Sequence, residues 1–400
     1  MVTGGSIERA RALLELRRPL DAERELRGLL AWEPQHAWAH SYLALALSEQ
    51  GRAREAVAEA CEGVRLTPDD WFAHYTAAQV LHRADQPGQA LAAVQASLAL
   101  HPEHAPTWDL LARLHLRSGR WPQMAEAAHR GLAIDPADSD LVSLLALAMT
   151  GLGWREQAKA AAEHAVRLDP ENAMAHLAYG QTMLTFGEPH RAAEAFREVL
   201  RLNPGLNDAR DLLLSALKSR NPVYRVLSRI QERFRGTWLM LLLLPVAPSL
   251  IVIFVLIAVL HWAAWVAEAW LTLRLARQQP ARLLLRGAET RAALACCWLL
   301  AAGAATLLLG AGSGSTAVGI AGAALMALVT PVQEATHTGA AHARSLLYGW
   351  AALLGLAGFW SAISASWGVA LLSACLALAT IWLAPGLRRV LHRPGTAFIA

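Results

Sequence analysis

Prolines stand at Pro34, Pro68, Pro102, Pro136, Pro170 and Pro204, every interval being 34 residues. A fixed period of that length marks stacked helical units, each too small to bury its apolar face alone. Each proline follows an amphipathic run such as Glu194 to Leu202, where it blocks helix continuation and sets a turn. Small or turn-forming residues keep the same register at Gly51, Asp85, Gly119, Gly153 and Gly187, where a helix must end and the chain reverse. Alanines recur at Ala44, Ala78, Ala112 and Ala146, followed by Gly180. A second series runs Ala56, Ala90, Ala158 and Ala192, with Met124 as the larger member. Small residues at these places let paired helices approach closely.

Residues 173 to 206, with Tyr179-Gly180, Ala192, Phe196 and Pro204, resemble the tetratricopeptide repeat family, as do Trp108, Leu111-Ala112, Gly119 and Pro136 in residues 105 to 138. The resemblance implies six units over about residues 3 to 206, the first interrupted by Gly4, Gly5 and Pro19. It also implies two helices per unit and a superhelix with a concave face. Asn207 to Ser219 reads as a further amphipathic helix covering the last apolar face, since the ends of such arrays require a cap. The expected solenoid is therefore 1–220. In the family the first helix of each unit lines the groove. Carried over, the groove includes Trp38, Phe72, Tyr75, Gln79, Arg83, Asp109, Arg113, Arg117 and Gln181, together with Ser41, His82 and Ser143. Arg113 and Arg117 lie one helical turn apart and, with Arg83, could receive a ligand carboxylate; the alternative is pairing with Asp109 or exposure to solvent.

Charge divides the chain into three. Residues 1–217 hold 21 Lys/Arg and 28 Asp/Glu, a balance of −7. Residues 218–235 carry six basic side chains against Glu232 alone. Residues 236–400 carry nine arginines and three acids. An acidic array fits poorly with nucleic acid. Within the collar, expected as a linker helix at 221–236, Val223, Val226, Leu227, Ile230 and Phe234 share one helical face and Arg225, Arg229 and Arg233 the other. A basic amphipathic helix of this kind suits the surface of an anionic bilayer.

Residues 237–385 read as a multi-span membrane domain. Thr237 to Leu273 is almost wholly apolar, and later apolar runs occupy 292–311, 316–332, 345–363 and 367–384. A crossing takes about 20 apolar residues, so about five or six membrane segments are expected. Basic segments favour the cytoplasmic side. All of them share one side if 237–247 is a short re-entrant arm and 249–272 a full span; a single crossing is the alternative. The tail, 386–400, joins that side. Gly319, Gly322, Ala323 and Ala327 form one small-residue surface, and Ala351, Gly355 and Gly358 another. His261 and Glu268 are the polar candidates within the spans, on one helical face with Trp265. Glu334 and His337 read as residues of a solvated loop.

Motifs that carry chemistry are sparse. There is no phosphate loop, nucleophile elbow or His-Glu-x-x-His run. His36 and His40 are one turn apart without an evident third ligand, and four scattered cysteines give neither a disulfide framework nor zinc spacing. No catalytic residue, cofactor or metal is assigned. The first ten residues lack the apolar stretch of a secretory leader. The expectation is an all-α chain: a tetratricopeptide solenoid followed by an α-helical transmembrane bundle, integral to an inner or plasma membrane, with the repeats in the cytoplasm. Its expected role is a non-enzymatic scaffold or adaptor whose groove takes a peptide or protein and whose bundle meets the bilayer, another membrane protein or a second copy. The alternative is a transporter or intramembrane enzyme regulated by its repeats.

Overall fold

The computed structural model describes residues 2–234, 251–277, 287–338, 341–364 and 366–391. Among them every regular element is a helix. They fall into two compact units, divided between Leu206 and Asn207.

The first unit is six helix pairs: α1 (Val2–Glu15) with α2 (Pro19–Trp32), α3 (Ala37–Glu49) with α4 (Ala53–Leu66), α5 (Trp71–Arg83) with α6 (Pro87–Leu100), α7 (Ala105–Arg117) with α8 (Trp121–Ile134), α9 (Ser139–Gly151) with α10 (Arg155–Leu168), and α11 (Ala173–Thr185) with α12 (Pro189–Leu202). Two local devices generate the period. Where one pair passes to the next, the proline takes the second place of a β-turn and the fourth residue caps the following helix. In Thr67-Pro68-Asp69-Asp70, Asp70 N donates to Thr67 O at 3.2 Å, and the Asp70 carboxylate accepts from Phe72 N at 3.0 Å. Asp138 and Asn172 cap α9 and α11 in the same way.

Inside each pair the first helix ends on a residue of positive φ. Gly51, Gly119, Gly153 and Gly187 occupy that place, but so do Asp85 at φ 60° and Arg17 at φ 55°. The next amide bonds back to the helix, as Arg52 N to Leu47 O at 3.0 Å and Arg18 N to Leu13 O at 2.8 Å, which is a Schellman closure. Pro19 does not interrupt the first unit. It fills the first turn of α2, where a missing N–H costs nothing.

The pairs close on their small residues: both alanine series, and Met124, are fully buried. A volume exchange runs through the series. Ala44 lies in register with Ala60, Ala78 with Val94, Ala112 with Ala128 and Ala146 with Ala162, but Gly180 with Phe196. A Cβ on Gly180 would come within 2.6 Å of the fully buried Phe196 ring. The glycine therefore makes room for the phenyl group.

The second unit begins with α13 (Asn207–Lys218) and α14 (Pro222–Phe234), followed by α15 (Ile251–Ala276), α16 (Gly287–Ser313), α17 (Thr316–Ala327), α18 (Val329–Thr336), α19 (Ala341–Ile363) and α20 (Trp367–Leu391). Helix α13, expected to cap the array, groups with this unit, where Leu214 and Leu217 pack on Leu275 and Ala276. Among the described residues, four stretches are long and apolar enough to cross a membrane: Val255–Ala276, Gly287–Ser313, Thr316–Thr336 and Ala341–Ile363. Trp367–Thr380 is a shorter apolar stretch, and its helix runs on to Leu391, past the expected start of the tail. The expected arm at 237–247 lies outside the described residues, as do the middle of the basic segment after α15 and the last part of the tail.

Glycines set the close approach of α16 and α17. A Cβ on Gly310 would strike the backbone of Gly319, and one on Gly322 would meet Leu307 N at 2.6 Å. Gly358 lies near Ala324, and Gly355 near Leu328, whereas Ala323 is exposed rather than part of a packed face. Glu334 is also not the residue of a solvated loop that its charge suggests. Gln333 and Glu334 sit on α18, and both are buried, whereas His337, just past the helix, is exposed.

Candidate functional site

Neighbouring first helices of the repeat unit touch one another directly along the array: α1 with α3, α3 with α5, α5 with α7, α7 with α9 and α9 with α11. Successive second helices make no comparable contact among the described residues. The array is thus tighter on the side of the first helices, and that side forms its inner face.

Four of the expected groove residues, Trp38, Phe72, Tyr75 and Gln79, come together there. The rings of Trp38 and Phe72 lie 5.8 Å apart, and Trp38 Nε1 donates to Asp70 Oδ2 at 2.7 Å. Sequence reasoning missed two members of this row. Tyr42 stands 5.1 Å from Phe72, and Trp71 stands 5.8 Å from Phe72 and 4.5 Å from His104. For Tyr42 a signal was available, since it lies one turn after Trp38; Trp71 follows the Asp70 cap, at a place where the other units carry Ala37, Ala105, Ser139 and Ala173 and the lattice marks no ring. Gln79 Nε2 donates to the Tyr75 hydroxyl at 2.7 Å. Burial, helped by the Asp109 charge, pushes the Tyr75 phenol up to about 12. Half of Trp38 remains exposed.

Beyond the aromatic row the face becomes charged. Arg113 Nε donates to Asp109 Oδ2 and its Nη2 to Asp140 Oδ2, both at 2.7 Å. Asn172 Nδ2 extends the chain to Asp140 Oδ1 at 2.6 Å. Arg117 pairs with Asp85, and Arg83 Nη1 lies 3.8 Å from Glu49 Oε1. These arginines meet the chain's own carboxylates, the arrangement that the sequence allowed through Asp109. Burial holds Asp109 above the usual carboxylate range despite Arg113. Gln181 is half-buried. Ser41 and Ser143 do not line the face. Both are fully buried, Ser41 against Gly63 of its own pair and Ser143 bonded to Ser139 O at 2.6 Å. His36 and His40 serve separately: His36 caps α3, while His40 Nδ1 lies 2.6 Å from Glu59 Oε2 and its Nε2 2.9 Å from Pro34 O.

The tetratricopeptide repeat family model matches residues 7–70 and 145–207. With six proline-closed helix pairs between and across these matches, the question of kind is decided. The repeat region is a tetratricopeptide repeat array. Solved structures similar to it include a chain of the anaphase-promoting complex heterotetramer Cut9–Hcn1, at 18% identity and TM-score 0.47 over 53% of this chain. The match spans 42% of that chain's length. PilF of Pseudomonas aeruginosa is similar at 17% identity and TM-score 0.45, over 52% of this chain and 95% of that one. YrrB, described as a tetratricopeptide protein with an unusual peptide-binding site, is similar at 16% identity and TM-score 0.37, over 46% and 95% of the two chains. No curated protein sequence matches the chain significantly.

The second unit holds a separate polar site. Glu268 on α15 is buried, and its Oε1 accepts from Lys218 Nζ of α13 at 2.7 Å. His337 Nε2, just past α18, lies 3.2 Å from the same oxygen, and the His337 ring stacks 4.9 Å from Trp265. Glu268 thus pairs with Lys218 and His337, neither of which sequence spacing brings near it. His261 is buried two turns earlier, with Nδ1 3.1 Å from Ile257 O.

Proposed function

We propose that the chain is a membrane-anchored scaffold whose tetratricopeptide groove, facing the cytoplasm, receives a peptide or a segment of a partner protein. The observation that carries this reading is the half-exposed aromatic row from Trp38 to Tyr75, continuous on one face with the Asp109–Arg113–Asp140 chain. Aromatic side chains supply contact area at low cost in conformational entropy, and the adjoining charges fix register. The four long apolar helices support anchorage in a bilayer. The basic segments flanking them support the cytoplasmic side for the repeats.

A photo-crosslinking residue at Phe72 should capture one discrete protein in cells, and capture should disappear with Tyr75→Ala or Arg113→Ala. Equal capture from the outer position Arg130 overturns the groove assignment. Alkaline phosphatase fused after Ser313 should be active, and fused after residue 282 inactive; the reverse pattern overturns the orientation.

A second reading, a transporter or intramembrane enzyme under control of the repeats, has one observation in its favour. Lys218 and the exposed His337 both meet the buried carboxylate of Glu268, one turn from buried Gln333 and Glu334, and ionisable groups within spans commonly serve function. Glu268→Gln separates the readings. Loss of a cellular phenotype with unchanged protein level and partner capture supports the second.

A further inference from the structure

A recess of about 670 Å³ opens on the repeat array where the turn after α2 meets the turn after α4. Glu33, Pro34, His36 and Trp38 line it from the first turn, and Thr67 from the second. Trp38 Nε1 donates to Asp70 Oδ2 at 2.7 Å, and Asp70 in turn caps α5. The edge of the indole is thereby tied down, while about half of the side chain stays open to the recess and to solvent.

The carboxylates at this place differ from the others of the array. Glu23, Asp85, Asp109 and Glu188 each meet an arginine or a lysine. Glu33 is exposed, and its carboxylate has neither a hydrogen bond nor an ion pair among the described residues. Asp70 accepts from Trp38 Nε1 and Phe72 N, and no described lysine or arginine reaches it. His36 brings no positive charge in this arrangement, because its Nδ1 accepts from Ala39 N at 3.3 Å, a role closed to the imidazolium. The combination is also confined to this turn. Where Asp135 and Asp169 take the place of Glu33 in later units, Asp140 and Met174 take that of Trp38.

An indole face beside an unmatched carboxylate suits a cation, tryptophan being the strongest of the aromatic partners. Donation of its N–H to Asp70 makes the ring face more negative still. A guanidinium fits better than an ammonium, since it lies flat on the ring and turns its planar fork to the carboxylate. Trp38 also begins the aromatic row, with the Phe72 ring 5.8 Å away and Trp71 between Phe72 and Tyr75. A free guanidinium compound would leave those rings empty, whereas a peptide lays its neighbouring side chains on them.

We propose that this recess takes an arginine side chain of the peptide bound in the groove, its guanidinium on the Trp38 face and against the Glu33 carboxylate, with apolar residues next to that arginine lying along Phe72 and Tyr75. The site rests on the groove reading above and adds the class of ligand, a peptide with arginine beside apolar side chains. The balance of −7 over residues 1–217 attracts such a ligand at longer range.

The full chain, purified in detergent, is presented with a phage library of random peptides, and a selected peptide is synthesised with arginine and with its neutral isostere citrulline at the shared place. Selected sequences should share one arginine with apolar neighbours. The arginine form should bind about ten-fold more tightly by fluorescence polarisation. Glu33→Gln, at an exposed side chain that holds nothing in the fold, should cut that preference to about three-fold, and Trp38→Leu to about two-fold. Glu126→Gln, at an exposed acid of α8, should leave it unchanged. An equal fall with Glu126→Gln overturns the proposal in favour of diffuse attraction to an acidic array. Competition by Nα-acetylarginine amide at the peptide's own concentration overturns the peptide as occupant. Selected sequences that share no arginine, or equal binding of the arginine and citrulline forms, with binding still lost in Tyr75→Ala, overturn the recess and leave the groove reading standing. Peptides that bind Tyr75→Ala as tightly as the unaltered chain overturn the groove reading, and the recess with it.

Discussion

The two units of this chain join helices by the same device and treat charge in opposite ways. In both, small residues let helices approach closely: Gly180 beneath Phe196 in the repeats, Gly310 against Gly319 in the second unit. The repeats keep their ion pairs on half-exposed faces, as in Arg113 with Asp109 and Asp140. The second unit buries Glu268 and turns Lys218 inward onto it, with the exposed His337 meeting the same carboxylate. The outer surface of the repeats meets water, which screens and solvates charge cheaply. An apolar bundle offers no such medium, so its few charges must find one another.

That contrast breaks first at Lys218. Removing one partner of a buried pair strands the other, at a cost of about 3–5 kcal/mol. Lys218→Ala should therefore lower the denaturant midpoint of the second unit sharply, measured on the full chain in detergent. Lys218→Met with Glu268→Leu should recover most of the loss. Arg130→Ala in the repeats, whose pair with Glu126 is open to solvent, should cost far less, within about 1 kcal/mol. Similar losses from Lys218→Ala and Arg130→Ala would mean that burial does not distinguish the two pairs.

The glycines sharpen the comparison. Gly180→Ala places a methyl group against the Phe196 ring, an overpacking worth about 1–3 kcal/mol. The third repeat carries its own solution, Ala78 opposite Val94. Phe196→Val should accordingly rescue Gly180→Ala in thermal unfolding. No side-chain change should rescue Gly310→Ala, because the obstacle there is the backbone of Gly319.

Acid separates the units more gently. Burial, together with the nearby Arg117, holds the His82 imidazole below its usual range, and burial does the same for His104 and His115. Their neutral forms are favoured by folding, so the unfolded chain binds more protons between the lowered pKa and about 6.5. This stability is present in full above about pH 6.5 and is lost as pH falls below it. The melting temperature of the repeats should drop between pH 7 and 5.5, and His82→Asn should flatten the drop. Asp109, raised by burial, acts in the opposite sense nearer the carboxylate range.

The repeats were legible because their constraints are local. A proline fixes its own φ, and a glycine at a fixed offset permits a left-handed turn, so both print a period into the sequence. The groove residues Trp38, Phe72 and Tyr75 follow from that register, although it did not single out Trp71. The polar site of the second unit left no such mark. Glu268 stands 50 residues from Lys218, and nothing periodic connects them. Gln333 and Glu334 look like loop residues until tertiary packing buries them.

Arg17 gives the finest test, because the same position of the array is filled three ways. Glycine occupies it in four units, and Asp85 and Arg17 in the other two, all with positive φ. A side chain held there costs about 1–2 kcal/mol. Asp85 recovers part of that cost through its pair with Arg117. Arg17 is exposed and makes no ion pair among the described residues. Arg17→Gly should therefore stabilise the array by about 1 kcal/mol, whereas Asp85→Gly should be close to neutral, since the relieved strain is offset by the lost pair. Urea unfolding of both variants reads the difference directly. A stabilisation of equal size at both positions would show that the Asp85–Arg117 pair contributes nothing, and that the array, unlike the second unit, draws no stability from its charges.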